Sequence, residues 1–307
     1  MQTILGGGGA IGTALARALN AYTNDVRIVA HNPKAVTGKE ELVRADLRDP
    51  AATDTAIAGS EIAYLVVGLP YKTRIWQRDW PQIIENVIAA CQKHGTKLVF
   101  FDNVYLYAPE ALADMQEDAL IRPISGKGKI RAQIVARLLR AQAAGLPLLI
   151  ARSADFYGPG AEKVSSVSIG ILENLGKNKK AFWQADDAKI HSFTFTEDAA
   201  RATALLGNTP GAFGQAWHLP TSAERLTGKD FVALAASLMA VPPRHWVLKK
   251  SLMRLLGIFS PMMRELAEMQ YQNDRDYFFN SQKFRKKFPE FKVTDYEAGL
   301  RQTVGNL

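Results

Sequence analysis

Short apolar runs alternate with amphipathic stretches through the first half of the chain. Residues 1–5 (MQTIL) form an apolar run that stops at four glycines, and residues 10–22 repeat their apolar positions at helical spacing. DVRIVA (25–30) reads as a second strand, and ELVRADL (41–47) contains a short third. PAATDTAIAGS (50–60) reads as a helix stopped by Gly59-Ser60. EIAYLVVGL (61–69) is a buried strand, followed by a long helix over 75–95 that Gly95 closes. TKLVFFD (96–102), a helix over 124–145 and LPLLIAR (146–152) continue the alternation. Strands apolar on both faces and separated by helices predict an α/β fold with a doubly wound parallel sheet.

After Arg152 the rhythm changes. Glycine, proline and aromatic residues punctuate 154–166 and 181–193, and later helices are expected at 227–241 and 260–272. The organisation expected is a parallel-sheet Rossmann-type domain over 1–160, with core elements continuing to about 218. A smaller C-terminal substrate-binding lobe, interleaved with that core, occupies 161–307. Long linkers, repeats and low-complexity tracts are not seen.

Composition narrows the class. At 47% hydrophobic and 22% charged residues the chain has an ordinary globular balance, with no apolar run of the roughly 18 residues that a membrane span needs. The segment SLMRLLGIFSPMM (251–263) carries an arginine, a glycine and a proline, and reads as an amphipathic or substrate-lobe helix. A single cysteine, Cys91, excludes an internal disulfide and fits a reducing, cytoplasmic setting. No signal peptide is read at the start. The net charge of +8 is spread along the chain, with modest clusters at 127–140 and 283–288 and no nucleic-acid motif. An anionic ligand or a solvated surface accounts for it better than nucleic acid. The five histidines (31, 94, 191, 218, 245) lack metal-ligand spacing, and no Gly-x-Ser-x-Gly elbow is present. The expected partner is a small-molecule substrate, without nucleic acid or membrane, for a monomer or homodimer.

The glycines carry the first chemistry. Gly6-x-x-Gly9-x-x-Gly12 lies directly between a strand and a helix. Gly6 permits the tight turn, Gly9 lets the backbone approach a pyrophosphate, and Gly12 lets the helix pack on the sheet. Exposed N–H groups around Ala10 and Ile11, with the helix dipole, favour the anion. This is a Rossmann dinucleotide site. NAD sites usually place an acid at the end of the second strand for the ribose 2′-OH. Here that strand ends Ala30-His31-Asn32-Pro33-Lys34. His31, Asn32 and Lys34 suit a 2′-phosphate, although no arginine directly follows the strand. NADP is the expected cofactor, with NAD the alternative.

Several ordered motifs resemble the extended short-chain dehydrogenase/reductases of the epimerase/dehydratase branch, over roughly the whole chain. These are the glycine spacing, Asp46-Leu47 after the third strand, and Val67-Gly68-Leu69 after the fourth. Arg152-Ser153-Ala154-Asp155-Phe156-Tyr157-Gly158-Pro159 and the run Phe193–Ala200 with Asp198 extend the match. The resemblance implies that Asp46 and Leu47 contact the adenine, and that Val67, Gly68 and Leu69 line the cofactor.

The resemblance also implies a Tyr-x-x-x-Lys pair on one helix face, and here the chain departs from it. None of its tyrosines has a lysine four residues on. The matching stretch is Ile124-Ser125-Gly126-Lys127-Gly128-Lys129, which aligns Lys129 with the family lysine and Ser125 with the tyrosine. In Phe101-Asp102-Asn103-Val104-Tyr105, Asn103 takes the position of the catalytic serine and Tyr105 the place where the side chain faces substrate. A serine hydroxyl is a far weaker acid than a phenol, so Lys129, Tyr105 or water must handle the proton. Tyr71, Tyr105, Asp155 and His191 are the substrate-side candidates. His191 stands near the position of an arginine that holds a diphosphate in nucleotide-sugar enzymes of the branch, and an imidazole is a poor clamp for one. Phe182, Trp183 and Trp217 read as core more readily than as an aromatic wall. Two functions follow: a reductase of a small carbonyl or alkene, or a non-catalytic NADP-binding sensor or interaction protein.

Overall fold

In the computed structural model, which describes residues 1–161 and 165–305, the apolar runs form strands and the amphipathic stretches form helices. The first elements are β1 (Gln2–Leu5), α1 (Ala10–Leu19), β2 (Val26–Ala30), β3 (Glu41–Arg44) and α2 (Pro50–Ile57). Next come β4 (Ile62–Leu65), α3 (Thr73–His94), β5 (Lys97–Asn103), α4 (Gly126–Ala143) and β6 (Leu148–Ser153). They are followed by β7 (Asp155–Tyr157), α5 (Glu173–Gly176), β8 (Ala181–Gln184), β9 (Phe193–Phe195), α6 (Thr196–Gly207) and β10 (Ala216–His218). The last are α7 (Gly228–Leu238), β11 (His245–Leu248), α8 (Lys250–Phe259), α9 (Pro261–Met269), α10 (Gln282–Lys287) and α11 (Tyr296–Val304). Part of the punctuated stretch 154–166, residues 162–164, lies outside the described residues.

The chain divides into two units. The first takes in Met1–Asn103, Lys129–Ser153 and Ala199–Leu219; the second takes in Val104–Gly128, Ala154–Asp198 and Pro220–Leu307.

The first unit is built on a seven-stranded parallel sheet in the order β10-β6-β5-β4-β1-β2-β3. Strands β1, β4 and β6 are buried throughout, as continuous apolar runs require. The order reverses between β1 and β4, where Leu5 pairs with Leu65 on one side and Val29 on the other. Ligands of open α/β sheets bind at such a reversal, beyond the carboxyl ends of the strands. Local chemistry sets the helix limits. Asp49 caps α2 by accepting from the Ala51 and Ala52 N–H groups at 2.8 and 3.1 Å, with Pro50 in the first turn. Gly95 ends α3 in the left-handed region at φ 64°.

Cys91 is fully buried on α3, and burial pushes its thiol up to about 12. With so little thiolate it should not react with a thiol-specific dye in the folded protein, and should react once in denaturant. Rapid labelling of the native chain would contradict this placement.

The second unit has two parallel strand pairs, β7-β9 and β11-β8. Its core includes Tyr157, Trp183, Phe193, Phe195, Phe231 and Tyr296. Tyr157, from the Tyr-Gly-Pro segment, is therefore a core ring here. Trp217 is likewise buried, in β10 of the first unit, its indole N–H donating to the Ala212 carbonyl at 2.9 Å.

Candidate functional site

In the first unit the glycine loop leaves β1 at the sheet reversal. Gly6 has φ +104°, and a Cβ there would meet the Val67 backbone at 2.8 Å. The loop after β4 thus presses against the glycine turn. A Cβ on Gly12 would meet the Gly6 carbonyl at 2.6 Å and Gly7 Cα at 2.7 Å, so α1 packs on its own entry loop. Gly9, the residue before α1, behaves differently. It has ordinary extended dihedrals (φ −91°, ψ 172°), and a Cβ would meet only the Gly6 carbonyl, at 3.8 Å. No packing among the described residues requires a glycine there. Gly8 and Gly9 are both exposed and open at the start of α1, whose N-terminus suits an anion such as a pyrophosphate. The α1 first turn carries no acid to compete. Val67 and Leu69 are half-buried and Gly68 is exposed.

At the far ends of β2 and β3 the structure adds a residue. Arg48 donates to Asp46 Oδ1 from its backbone N–H at 2.9 Å and from Nε at 3.0 Å. His31 Nε2 lies 3.7 Å from Asp46 Oδ2. The hydrogen bonds from Arg48 hold the Asp46 carboxyl well below the usual carboxylate range. An arginine thus does stand at this edge, supplied by the chain after β3 rather than after β2. Asn32 and Lys34 are exposed, and Leu47 is buried.

Three further candidates lie in this unit. Asn103 ends β5, in register with Ser153 of β6. Lys129 is exposed on α4. Tyr71 is exposed, edge-on to Trp76 with centroids 6.1 Å apart. No local pattern in the chain announces the buried ionic group that the same unit contains. Arg152 Nε donates to Asp102 Oδ2 at 3.1 Å, and Arg131 Nε lies 3.6 Å from Oδ1, all three side chains being almost wholly inaccessible. The Arg131 guanidinium lies over the Trp80 ring, 4.6 Å from its centroid.

The second unit brings the other candidates together. Ser125 is buried and its hydroxyl accepts the Gly128 N–H at 3.0 Å, the geometry of a helix N-cap at the start of α4. His191 Nε2 lies 3.0 Å from Asp155 Oδ2, and its ring stacks on Tyr277 at 4.2 Å and 4°. Backbone bonds fix that stack: Tyr277 N–H to the Ile190 carbonyl and Ser192 N–H to the Tyr277 carbonyl, both at 2.9 Å. His191 is thereby committed to a carboxylate partner. Tyr271, just after α9, lies beside Ser125 and is 4% exposed. Its hydroxyl forms no well-shaped hydrogen bond among the described residues. Burial pushes it up to about 12, the Ser125 hydroxyl opposing and Glu268 adding to the rise. Burial also raises Tyr277, whose phenol feels Asp155, Tyr105 and Tyr271. Tyr105, Ser125, Asp155 and His191 thus meet in one polar cluster, completed by two phenols that the sequence did not single out.

Lys127 also departs from its surface appearance. It is fully buried, its ammonium bonded to Glu265 and to Glu268 Oε2 at 3.2 Å, both from α9. With Arg131 also buried, the outward charge of α4 is smaller than its sequence suggests. Among the described residues no group of three or more His, Cys, Asp or Glu comes together to hold a metal ion, and no helix is long and apolar enough to cross a membrane.

Several solved structures share the fold. The UDP-glucuronic acid 4-epimerase of Bacillus cereus, in complex with NAD, has a TM-score of 0.79 at 16% identity, over 99% of this chain and 98% of that one. The UDP-glucose 4-epimerase of Thermotoga maritima, with UDP-glucose, has 0.79 at 16% over 99% and 98%. That of Thermus thermophilus, in complex with NAD, has 0.77 at 18% over 99% and 98%. No curated protein matches the chain. The model of the NAD dependent epimerase/dehydratase family matches residues 3–217, covering the glycine loop, the sheet and α4, and the chain belongs to that family.

Proposed function

We propose that this chain is a nicotinamide-dinucleotide oxidoreductase that reduces a small carbonyl or alkene, with NADP as its preferred cofactor. The glycine turn between β1 and α1, tightly packed at Gly6 and Gly12 and open at Gly8 and Gly9, carries the reading. The bound cofactor would supply the hydride. Gly6, Gly9, Ala10, Ile11 and Gly12 hold its pyrophosphate, Leu47 and Asp46 its adenosine end, Val67, Gly68 and Leu69 its inner side, and Lys129 its nicotinamide ribose. NADP is favoured by His31 and Arg48, which both stand at the Asp46 carboxylate that Arg48 already occupies, and by the exposed Lys34 after β2. The NAD of the similar epimerase structures is a property of those proteins, as are their UDP-sugars. The Asp155 carboxylate on His191 disfavours a diphosphate at that position.

The second unit holds the candidate proton-bearing groups. Ser125 accepts the Gly128 N–H and keeps its own proton, but a phenol is the stronger acid, and Tyr271 beside it is the candidate donor. Tyr105 in the second unit, and Asn103 and Tyr71 in the first, are the substrate-side candidates. Because burial lifts Tyr271 to about 12, it keeps its proton at neutral pH. Turnover should therefore show no tyrosine titration below about pH 10, the ordinary phenol range.

Fluorescence titration with NADPH and NADH tests the cofactor assignment, and binding of neither sinks it. With a carbonyl panel followed by cofactor oxidation, Tyr271→Phe should lower kcat by roughly 10²–10⁴-fold with NADPH affinity unchanged. An unchanged kcat removes Tyr271. NADPH binding without turnover of any substrate would instead favour the sensor reading.

A further inference from the structure

Helices α8 and α9 form a hairpin joined at Ser260, whose hydroxyl accepts the Met263 N–H at 3.4 Å. The two helices close at Gly257, where a Cβ would sit 3.3 Å from the Arg264 backbone. Arg264 Nε donates to the Gly257 carbonyl at 3.1 Å. The inner residues of the hairpin are Met253, Gly257 and Met269. Its outer residues are unusual for a globular surface. Phe259 is 83% exposed, and Ile258 and Met262 are 65% exposed, at the turn. Leu252, Leu255 and Leu256 continue the apolar surface along α8. Large contiguous apolar surfaces mark an interaction site rather than ordinary exposure.

The charges of the hairpin are sorted. Helix α8 contains no acid. The two acids of α9, Glu265 and Glu268, turn inward to the buried Lys127 ammonium, and Glu268 also receives the Gly126 N–H. The bases Lys249, Arg254 and Arg264 remain exposed beside the apolar residues. The outer face is thus apolar and cationic, with its carboxylates withdrawn.

We infer that the α8–α9 hairpin docks on an anionic phospholipid surface, with Phe259, Ile258 and Met262 entering the interface and Lys249 and Arg254 meeting the headgroups. Interfacial helices have this composition: an apolar face, flanking bases whose stems lie along the apolar zone, and no outward acid. A second copy of the chain is the poorer occupant, because pairing two such faces sets cation against cation in a chain already at +8. The inference does not depend on the dinucleotide reading.

Co-sedimentation of the full chain with vesicles tests it, comparing phosphatidylcholine alone with phosphatidylcholine mixed with phosphatidylglycerol. The expected result is binding at least about ten-fold tighter to the anionic vesicles, weakening as salt rises. Phe259→Ser should lower that binding roughly ten-fold or more without moving the thermal midpoint. Arg254→Gln should lower the preference for anionic vesicles while leaving residual binding. Absence of binding to either vesicle, or Phe259→Ser and Arg254→Gln both binding like the parent, overturns the inference. So does a concentration-dependent dimer in vesicle-free buffer that Phe259→Ser abolishes.

Discussion

Replacing Asp102 by alanine is expected to cost about 3–5 kcal/mol of stability, the usual consequence of removing one partner from a buried ion pair. Asp102 and Arg152 are register partners on β5 and β6, and Arg131 reaches the same carboxylate from α4. All three lie in the interior of the first unit, where water does not replace a lost partner. Without the carboxylate, two guanidinium groups would face each other at low dielectric. Arg131 would keep its place over Trp80 and Phe100, but cation–π attraction is worth only about 2 kcal/mol when desolvated. Urea unfolding monitored by tryptophan fluorescence measures the difference. A loss below about 1 kcal/mol would show that the trio carries no such weight.

The second large effect separates two glycines of one loop. Gly12→Ala should fail in both stability and NADPH binding, because its Cβ would collide with backbone at 2.6 and 2.7 Å, which no side-chain movement relieves. Gly9→Ala should leave the unfolding midpoint where it is, since its backbone is extended and its nearest neighbour lies at ordinary contact distance. Its NADPH affinity should nonetheless fall at least about ten-fold, because the added methyl occupies the approach of the pyrophosphate. Calorimetric unfolding and fluorescence titration of both variants decide the matter. Unchanged affinity in Gly9→Ala would move the phosphates away from this loop.

The sheet and its helices were readable from sequence because their signal is local. The apolar runs carry the strand pattern, the stop at Gly95 is a glycine in the left-handed region, and the glycine loop sits where a strand meets a helix. The polar cluster of the second unit was only half readable. Tyr105, Ser125, Asp155 and His191 could be aligned on motifs. Tyr271 falls at the end of the helix expected over 260–272 and Tyr277 lies just beyond it, and nothing local distinguishes them from surface residues. Lys127 was opaque for a related reason. It sits two residues from the exposed Lys129 in a run of bases, and its glutamate partner Glu265 is 138 residues away in the chain. Arg48 lay close at hand in sequence but on the neighbouring strand edge, so a rule read along β2 alone passed over it.

The cap at Ser125 constrains how this chain can change. A serine there closes the first turn of α4 through the Gly128 N–H, inside a buried corner shared with Tyr271. A mutation that installed a phenol at 125 would give up that cap at about 1 kcal/mol and demand volume where neighbours already stand. Such an intermediate would be less stable before it gained anything in chemistry. The position is therefore entrenched, and any descendant that needed a stronger acid would find it more readily by adjusting residues around Tyr271 than by replacing the serine.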